Sequence, residues 1–270
     1  MRRLLILGLS ILTATGAMAG TLPEVKARPS KKEPPRESLE QPMVLQQEED
    51  KIGPPKPSPN KEFDPIGIAA SYRLPERETK IAAHYIGLSN GTGGQFYSAL
   101  EKPLLAVLEE VLGSQLVNGT DIVFVIDHTS SMEDDIDVIR VDVQRLIRKF
   151  EAVGGIRVGI VTFSDVKSGS KYGYCSHGLS DDYGGLAGFL GGIELLGSVE
   201  DIYGAIWKTV DEFKWKSKSK RMIVLISDDK PATGKDTNYT EEDVLYKCAK
   251  SGVQTNLYPV LVDKYSPVKQ

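Results

Sequence analysis

Cysteine, histidine and tryptophan are scarce in this chain of 270 residues, which contains two, three and two of them respectively. Two cysteines exclude a disulfide-rich scaffold, and the histidines have no second histidine or cysteine at the spacing of a zinc site. Neither sign of charge is in large excess, because 33 lysines and arginines against 37 aspartates and glutamates give a net charge of −4. That balance excludes a nucleic-acid binder that relies on bulk positive charge. No series of membrane-length apolar runs exists, which excludes a polytopic membrane protein.

A short apolar run near the start of the chain (4–12) follows two arginines and precedes the small residues Ala17-Met18-Ala19. This order is the secretory signal pattern, so residues 1–19 are predicted to be removed before Gly20. The run is too short to cross a bilayer as a helix. We therefore expect an exported protein, periplasmic or secreted, without stable membrane insertion after cleavage.

Aromatic residues are absent from 20–60, a segment that holds nine of the 15 prolines and fourteen charged residues. Such a segment cannot bury enough apolar surface to offset its chain entropy. We therefore predict a disordered, Pro-rich, charged linker over 20–62. The remaining residues, 63–270, are enough for one domain with a substantial core.

Apolar runs of strand length alternate with helical periodicity in the second half of the chain. Strands are predicted at 121–126, 157–163, 222–226 and 255–262, with an edge strand at 171–179. Helices are predicted at 132–152, 186–193, 200–213 and 240–251. This alternation predicts an α/β fold, a Rossmann-like doubly wound, mostly parallel sheet with helices on both faces.

Oxygen-bearing side chains follow two of these strands, at the sheet edge where such folds place their sites. Asp127, Thr129 and Ser131 follow the first strand, and Asp228 follows a later one. Two carboxylates and two hydroxyls are ligands that Mg²⁺ accepts. Asp127 and Ser131 could instead cap a helix, but capping does not account for residues at two distant strand ends.

Four segments in this order resemble the von Willebrand factor type A (vWA) family. They are DIVFVIDHTSSM at 121–132, RVGIVTFSD at 157–165, EDIYGAI at 200–206 and MIVLISDDKP at 222–231. The first resembles the family's opening strand and its Asp-x-Ser-x-Ser metal motif, with Thr129 at the first hydroxyl position. The last resembles the strand that delivers the final aspartate.

The resemblance implies a metal-ion-dependent adhesion site on a vWA fold. In such a site Asp127, Thr129, Ser131 and Asp228 would hold Mg²⁺, with Mn²⁺ or Ca²⁺ as alternatives. The acidic side chain of a protein partner can complete the coordination.

The middle loop, residues 196–201, departs from the family pattern, because it has no threonine where the family has a metal-binding one. Ser198, Glu200 or Asp201 would have to substitute, and Glu200 and Asp201 are the favoured candidates. A carboxylate there would hold the metal more firmly and weaken its pull on an acidic ligand. Alternatively, the two acids simply complement the dipole of a helix in its first turn.

Chain order departs from the family as well. The family's last strand and closing helix are missing after 262, yet residues 63–118 contain a helix at 76–88, a turn at 90–94, a strand at 95–99 and a helix at 100–112. We hypothesise a circular permutation, with 119–270 as the core and 95–99 paired beside 255–262. The alternative is an unrelated helical lead-in.

The function that these patterns favour is a non-enzymatic binding or adhesion module for a protein partner. One alternative is a metal-independent scaffold with a vestigial site. Another is a Mg²⁺-dependent phosphotransferase with Asp127 as nucleophile, although such chemistry usually needs a second acid where Thr129 stands. The side chain of His128 is expected to point to solvent.

Overall fold

The computed structural model describes residues 64–113, 115–169, 171–250 and 254–263. The predicted signal peptide, 1–19, and linker, 20–62, lie outside the described residues. Within the part that is described, no helix combines the length and the apolar character that a membrane span requires.

Within the described ranges, six strands form one sheet in the order β1-β6-β5-β2-β3-β4. Their bounds are Tyr97–Ser98 (β1), Thr120–Asp127 (β2), Arg157–Phe163 (β3), Tyr174–Ser180 (β4), Lys220–Ser227 (β5) and Thr255–Leu261 (β6). All neighbours pair in parallel except β3 and β4, which are antiparallel. The mostly parallel sheet predicted from the sequence is therefore confirmed, with β4 as its antiparallel edge.

The part of the chain that the structure describes contains seven α-helices, which pack on the sheet. They are Pro65–Ser71 (α1), Glu76–Thr92 (α2), Leu104–Gly113 (α3), Ile136–Val153 (α4), Tyr183–Gly191 (α5), Ile202–Glu212 (α6) and Glu241–Lys250 (α7). Short 3₁₀ turns lie at Ser130–Met132 and Gly234–Asp236. The helices α3, α4 and α5 pack on one face of the sheet, and α1, α2, α6 and α7 pack on the other. The doubly wound architecture is confirmed.

The central strands show why the sequence pattern was informative. Every residue of β2 is buried, since helices cover both faces of the sheet. Alternate side chains, such as Phe124 and Val125, enter the two opposite core layers. A continuous apolar run is the signature of a strand in that position.

The predicted element bounds shift at several ends. The helix predicted from 132 begins at Ile136, because a 3₁₀ turn precedes it. The edge strand begins at Tyr174, three residues later than predicted. The strand predicted over 95–99 is reduced to Tyr97–Ser98.

The short strand β1 pairs with β6 as the permuted arrangement requires. Tyr97 lies opposite Val260, and the backbone N–H of Ala99 donates to the carbonyl of Leu261 at 2.9 Å. A close approach precedes the strand, because a Cβ built on Gly94 would lie 1.7 Å from the carbonyl oxygen of Leu257. The segment ahead of the first motif is thus part of the sheet.

The rest of the outer edge of β6 meets the end of α2. The N–H of Leu257 donates to Thr92 Oγ1 at 3.0 Å, and Gln254 Nε2 donates to the carbonyl oxygen of Thr92 at 2.6 Å. Two residues further along β6 stands Pro259, which has no N–H to offer. Helix α2 therefore covers the stretch of this edge that β1 does not reach.

Candidate metal centre

Asp127 ends strand β2 and its carboxylate is held on both oxygens. Its Oδ1 accepts the backbone N–H of Thr129 at 2.8 Å, and its Oδ2 accepts the hydroxyl of Ser227 at 2.7 Å. Ser227 is the last residue of the neighbouring strand β5. The parallel pairing of β2 with β5 brings these two strand ends together. The sequence predicts this, because residues that follow parallel strands meet at one edge of the sheet.

A row of hydroxyls connects the two motif segments. Thr129 Oγ1 lies 3.0 Å from Ser131 Oγ, and Ser131 Oγ donates to Asp228 Oδ1 at 3.1 Å. Asp127, Thr129 and Asp228 have no exposed surface, whereas Ser131 is partly exposed. The four predicted ligands are thus brought together, with Ser131 on the solvent side.

The electrostatics of the cluster are unfavourable without a cation. Burial raises the pKa of Asp127 to about 7, the hydroxyl of Ser227 and the N–H of Thr129 oppose this shift, and the charge of Asp228 adds to it. Among the described residues, no lysine, arginine or histidine forms an ion pair with Asp127. A buried carboxylate in that situation is stabilised by a proton or by a metal ion.

The oxygens fit the requirements of Mg²⁺. Two oxygens bound side by side at about 2.1 Å from Mg²⁺ lie about 3 Å from each other. The separations of 3.0 and 3.1 Å along Thr129, Ser131 and Asp228 are hydrogen-bond distances that are also compatible with this spacing. In the described part of the chain no three His, Cys, Asp or Glu side chains form a group that could hold a metal. The candidate centre instead combines two carboxylates with two hydroxyls, which suits a hard cation.

The middle loop supports the site through its backbone. The carbonyl of Gly197 accepts both the N–H and the hydroxyl of Ser130, at 3.2 and 3.0 Å. Gly197 has φ +83°, and a Cβ there would also lie 3.0 Å from the hydroxyl oxygen of Ser164. This loop therefore needs glycine, and it fixes the turn that carries Ser131.

The two acids of the middle loop are placed differently from one another. Asp201 caps α6: its Oδ1 accepts the N–H of Gly204 and its Oδ2 that of Lys167, both at 3.0 Å. This geometry favours the helix-capping interpretation for Asp201 over ligation. Glu200 is half-buried, and its backbone carbonyl accepts from Ala232 in the loop after β5. Metal ligation by Glu200 stays a prediction.

The prediction that His128 points to solvent was wrong. Its side chain is 2% exposed, and Nε2 lies 3.1 Å from Ser164 Oγ. Its backbone also bridges two elements, donating to Phe163 and accepting from Leu196. Burial lowers the pKa of His128 to about 4, so the ring is neutral near pH 7. His128 is thus a buried residue that packs between Phe163, Ser164 and Leu196, beside the candidate ligands Asp127 and Thr129.

Two residues of α2 hold the loop that carries Asp228, and the sequence motif did not identify them. Arg77 Nη2 donates to the carbonyl of Asp228 and lies 3.2 Å from a carboxylate oxygen of Asp229. The hydroxyl of Tyr85 donates to the carbonyl of Asp229 at 2.7 Å. In the sequence, the one indication of Arg77 and Tyr85 was the predicted helix 76–88 beside the sheet. That prediction places the helix near the candidate site but does not identify which of its side chains contact the Asp228 loop.

No family model and no curated protein matches this chain. Its similarities are to solved structures. The pilus adhesin SpaC of Lactobacillus rhamnosus GG is 25% identical over 43% of this chain and 15% of SpaC, with a TM-score of 0.36. The conserved hypothetical protein BatB of Bacteroides thetaiotaomicron is 17% identical over 54% of this chain and 91% of BatB, with a TM-score of 0.37.

A third similar structure is the vWF domain of the type V pili tip protein Mfa5 of Porphyromonas gingivalis. It is 21% identical over 42% of this chain and 39% of the Mfa5 chain, with a TM-score of 0.31. The similarity therefore spans a small part of SpaC and under half of Mfa5. The fold is shown by the domain itself, in which a doubly wound sheet brings the Asp127 and Asp228 segments to adjoining strand ends.

The domain has a vWA-like fold. Within it, the four motif segments predicted from the sequence lie on β2, β3, α6 and β5 and on the loops that follow the strands. The strand that pairs with β6 on its outer side is β1, which lies ahead of β2 in the chain.

Proposed function

We propose that the vWA-like domain is an exported, non-enzymatic binding module that holds Mg²⁺ and recognises a protein partner. The observation that supports the metal is the burial of Asp127 and Asp228 beside a row of hydroxyls, with no cationic side chain among the described residues in an ion pair with Asp127. The cation, when bound, supplies positive charge and an open coordination position for an incoming carboxylate.

The chain's own residues have distinct roles in this proposal. Asp127 and Asp228 provide the negative charge, and Ser227 and the N–H of Thr129 orient the Asp127 carboxylate. Ser131 is on the accessible side, so a partner would approach there. Glu200 is proposed as an additional ligand from the middle loop, and Asp201 as the cap that fixes the helix behind it.

Calorimetric titration of Mg²⁺ into the chain tests the metal site. We expect saturable heat with the native chain and none with Asp127→Ala. The matched control is Asp134→Ala, which removes an exposed carboxylate seven residues further along the same segment. Absence of both heat and a thermal shift in the native chain would show that the site is vestigial.

The hydroxyl ligand has its own pair of variants. Thr129→Val keeps the shape of the side chain and removes the oxygen, whereas Thr129→Ser keeps the oxygen. We expect Thr129→Val to weaken Mg²⁺ affinity at least tenfold and Thr129→Ser to retain most of it. Equal effects of the two variants would assign Thr129 a packing role only.

Recognition of an acidic side chain can be tested with Mn²⁺ as the bound ion, through the paramagnetic relaxation of its coordinated water. An aspartate-containing tripeptide that enters the coordination sphere displaces water and lowers the relaxivity. The same peptide with asparagine should leave it unchanged. If the two peptides behave alike, the metal does not recognise carboxylates.

The enzyme alternative has a direct test. A phosphotransferase that uses Asp127 would hydrolyse a generic phosphomonoester in the presence of Mg²⁺, and Asp127→Asn would abolish turnover. We expect no turnover above background in either protein.

Export is tested by the mature amino terminus, which we expect at Gly20.

A further inference from the structure

A groove of about 510 Å³ opens beside α6 and α7, at the opposite end of the sheet from the candidate metal centre. One of its lining residues, Arg221, is the second residue of β5. Asp228 follows seven residues later, which corresponds to about 23 Å along an extended strand. The groove is therefore a separate surface from the metal centre.

Both tryptophans of the chain line this groove. The ring of Trp207 stacks on Tyr239, with centroids 4.6 Å apart and planes at 14°. The indole N–H of Trp215 donates to the carbonyl of Val210 at 3.3 Å. Tyr246 adds a side chain that is 39% exposed at the rim. The aromatic surface is thus held in place before any ligand arrives, which lowers the entropic cost of binding.

The groove is positively charged although the chain as a whole carries a net charge of −4. Four cationic side chains line it, and they are Lys214, Arg221, Lys247 and Lys250. The single carboxylate among its described lining residues is Asp211, which forms an ion pair with Lys247. The remaining cations give the groove an excess of positive charge.

Arg221 is the most buried of these cations, with 7% of its surface exposed. Its guanidinium carbon lies 5.7 Å from the ring centroid of Trp215. Burial lowers the pKa of Arg221, and the charge of Asp121 opposes that shift. A carboxylate placed in the groove would stabilise this desolvated cation further.

We propose that this groove binds an acidic peptide segment of a partner protein, with carboxylates at Lys214 and Lys250 and an apolar side chain against Trp215 and Tyr246. Charge complementarity selects an acidic ligand, and aromatic side chains lie beside the cations of the lining: Lys250 Nζ is 4.5 Å from the ring centroid of Tyr246, and Arg221 is 5.7 Å from that of Trp215. An acidic peptide with an apolar side chain between its carboxylates offers both charge and apolar surface to this lining.

Tryptophan fluorescence reports directly on occupancy, because the two tryptophans of the chain are both in the groove. The probe is acetyl-Glu-Glu-Phe-Glu-amide, titrated into the full chain in EDTA so that the metal centre plays no part. The comparison peptides replace every glutamate by glutamine or the phenylalanine by alanine. We expect the probe to change the fluorescence and to bind at least tenfold more tightly than either comparison peptide.

The double variant Lys214→Glu/Lys250→Glu should weaken binding of the probe at least tenfold. Its control, Lys80→Glu/Lys171→Glu, changes the net charge equally at exposed positions outside the groove, and should bind as the native chain does. Three results would overturn the proposal: no fluorescence change at millimolar probe, equal binding of the alanine peptide, or equal loss in both double variants. Dextran sulfate binding as tightly as the probe would assign the groove to sulfated polyanions instead. None of these results depends on whether Mg²⁺ binds at Asp127.

Discussion

Arg77 Nη2 donates to the main-chain oxygen of Asp228 at 3.2 Å, so helix α2 holds the last of the four predicted metal ligands. The two residues are separated by 151 positions. The same guanidinium pairs with Asp229, and Tyr85 from the next turns of α2 donates to the backbone of that residue. The loop after β5 is therefore oriented from α2 and not only from the sheet.

Substitution of Arg77 should affect the metal more than it affects the fold. Arg77→Ala removes the donor to the main-chain oxygen of Asp228, and losing a contact that orients a metal-ligating residue typically costs about 10-fold or more in metal affinity. We expect Mg²⁺ affinity to fall by about that factor in calorimetry. Lys80→Ala, which removes an exposed ion pair on the same helix, is the control and should leave the affinity unchanged. A similar loss in both variants would mean that α2 acts through general stability.

Affinity for Mg²⁺ should depend on pH through Asp127. Its pKa is raised to about 7 in the metal-free protein, so below pH 7 a proton competes with the cation for the carboxylate. We expect affinity to rise about tenfold per pH unit from pH 5 to 7 and to level off above 7. Titrations near pH 6 in buffers of different ionisation enthalpy should show release of about one proton per Mg²⁺. A flat profile with no proton release would contradict a role for Asp127.

The free energy of unfolding of the metal-free protein should fall as the pH rises, whereas the affinity for Mg²⁺ rises. Because the folded pKa of Asp127 lies above its ordinary value of 3.8, the unfolded chain loses this proton first as the pH rises. The contribution of Asp127 to stability is therefore lost between about pH 4 and pH 7, by at most about 4 kcal/mol at 1.36 kcal/mol per unit.

Asp127→Asn isolates this effect, since an amide can still accept from Thr129 but cannot ionise. In EDTA at pH 8 we expect the variant to be at least as stable as the native protein by chemical denaturation, with the difference vanishing at pH 4. Addition of Mg²⁺ should raise the melting temperature of the native protein alone. If the variant is less stable than the native protein at pH 8, the ionised carboxylate of Asp127 does not destabilise the folded state.

The close approach of Gly94 to the carbonyl oxygen of Leu257 allows a test of the junction between β1 and β6. Gly94→Ala would place a methyl group within 1.7 Å of the Leu257 carbonyl oxygen, so one strand must move. We expect a loss of about 1–3 kcal/mol in the free energy of unfolding. Gly188→Ala is the matched control, because its Cβ meets no atom within 4 Å and alanine favours the helix. Equal stability of the two variants would argue against a tight junction at this edge.

The sheet and the convergence of the segments that carry the four candidate ligands were predictable because they depend on local patterns. A continuous apolar run such as 222–226 has few alternatives to a buried strand, and parallel strands deliver the residues that follow them to one edge. The orientation of His128 was not predictable, because it depends on Ser164 across the loop. The contact of Arg77 with Asp228 likewise arises from helix packing, which leaves no periodic trace in the sequence.

The assignment of Asp201 shows a further limit. An aspartate ahead of an apolar helix fits both a metal ligand and a cap, and only the positions of the Gly204 and Lys167 amides distinguish the two. The permuted ending, by contrast, could be predicted as a pairing because the family resemblance left one strand missing. The pairing of β1 with β6 is observed, whereas the permutation of the gene stays a prediction.

The outer edge of β6 also bears on whether other chains can add strands to this sheet. An exposed strand edge offers a template on which other chains can add strands and aggregate. Here Thr92 occupies the N–H of Leu257, Pro259 has no N–H to donate, and β1 takes up the final residues. The three together leave little of that edge free for strand addition, a protection that matters for a chain expected to fold outside the cytoplasm.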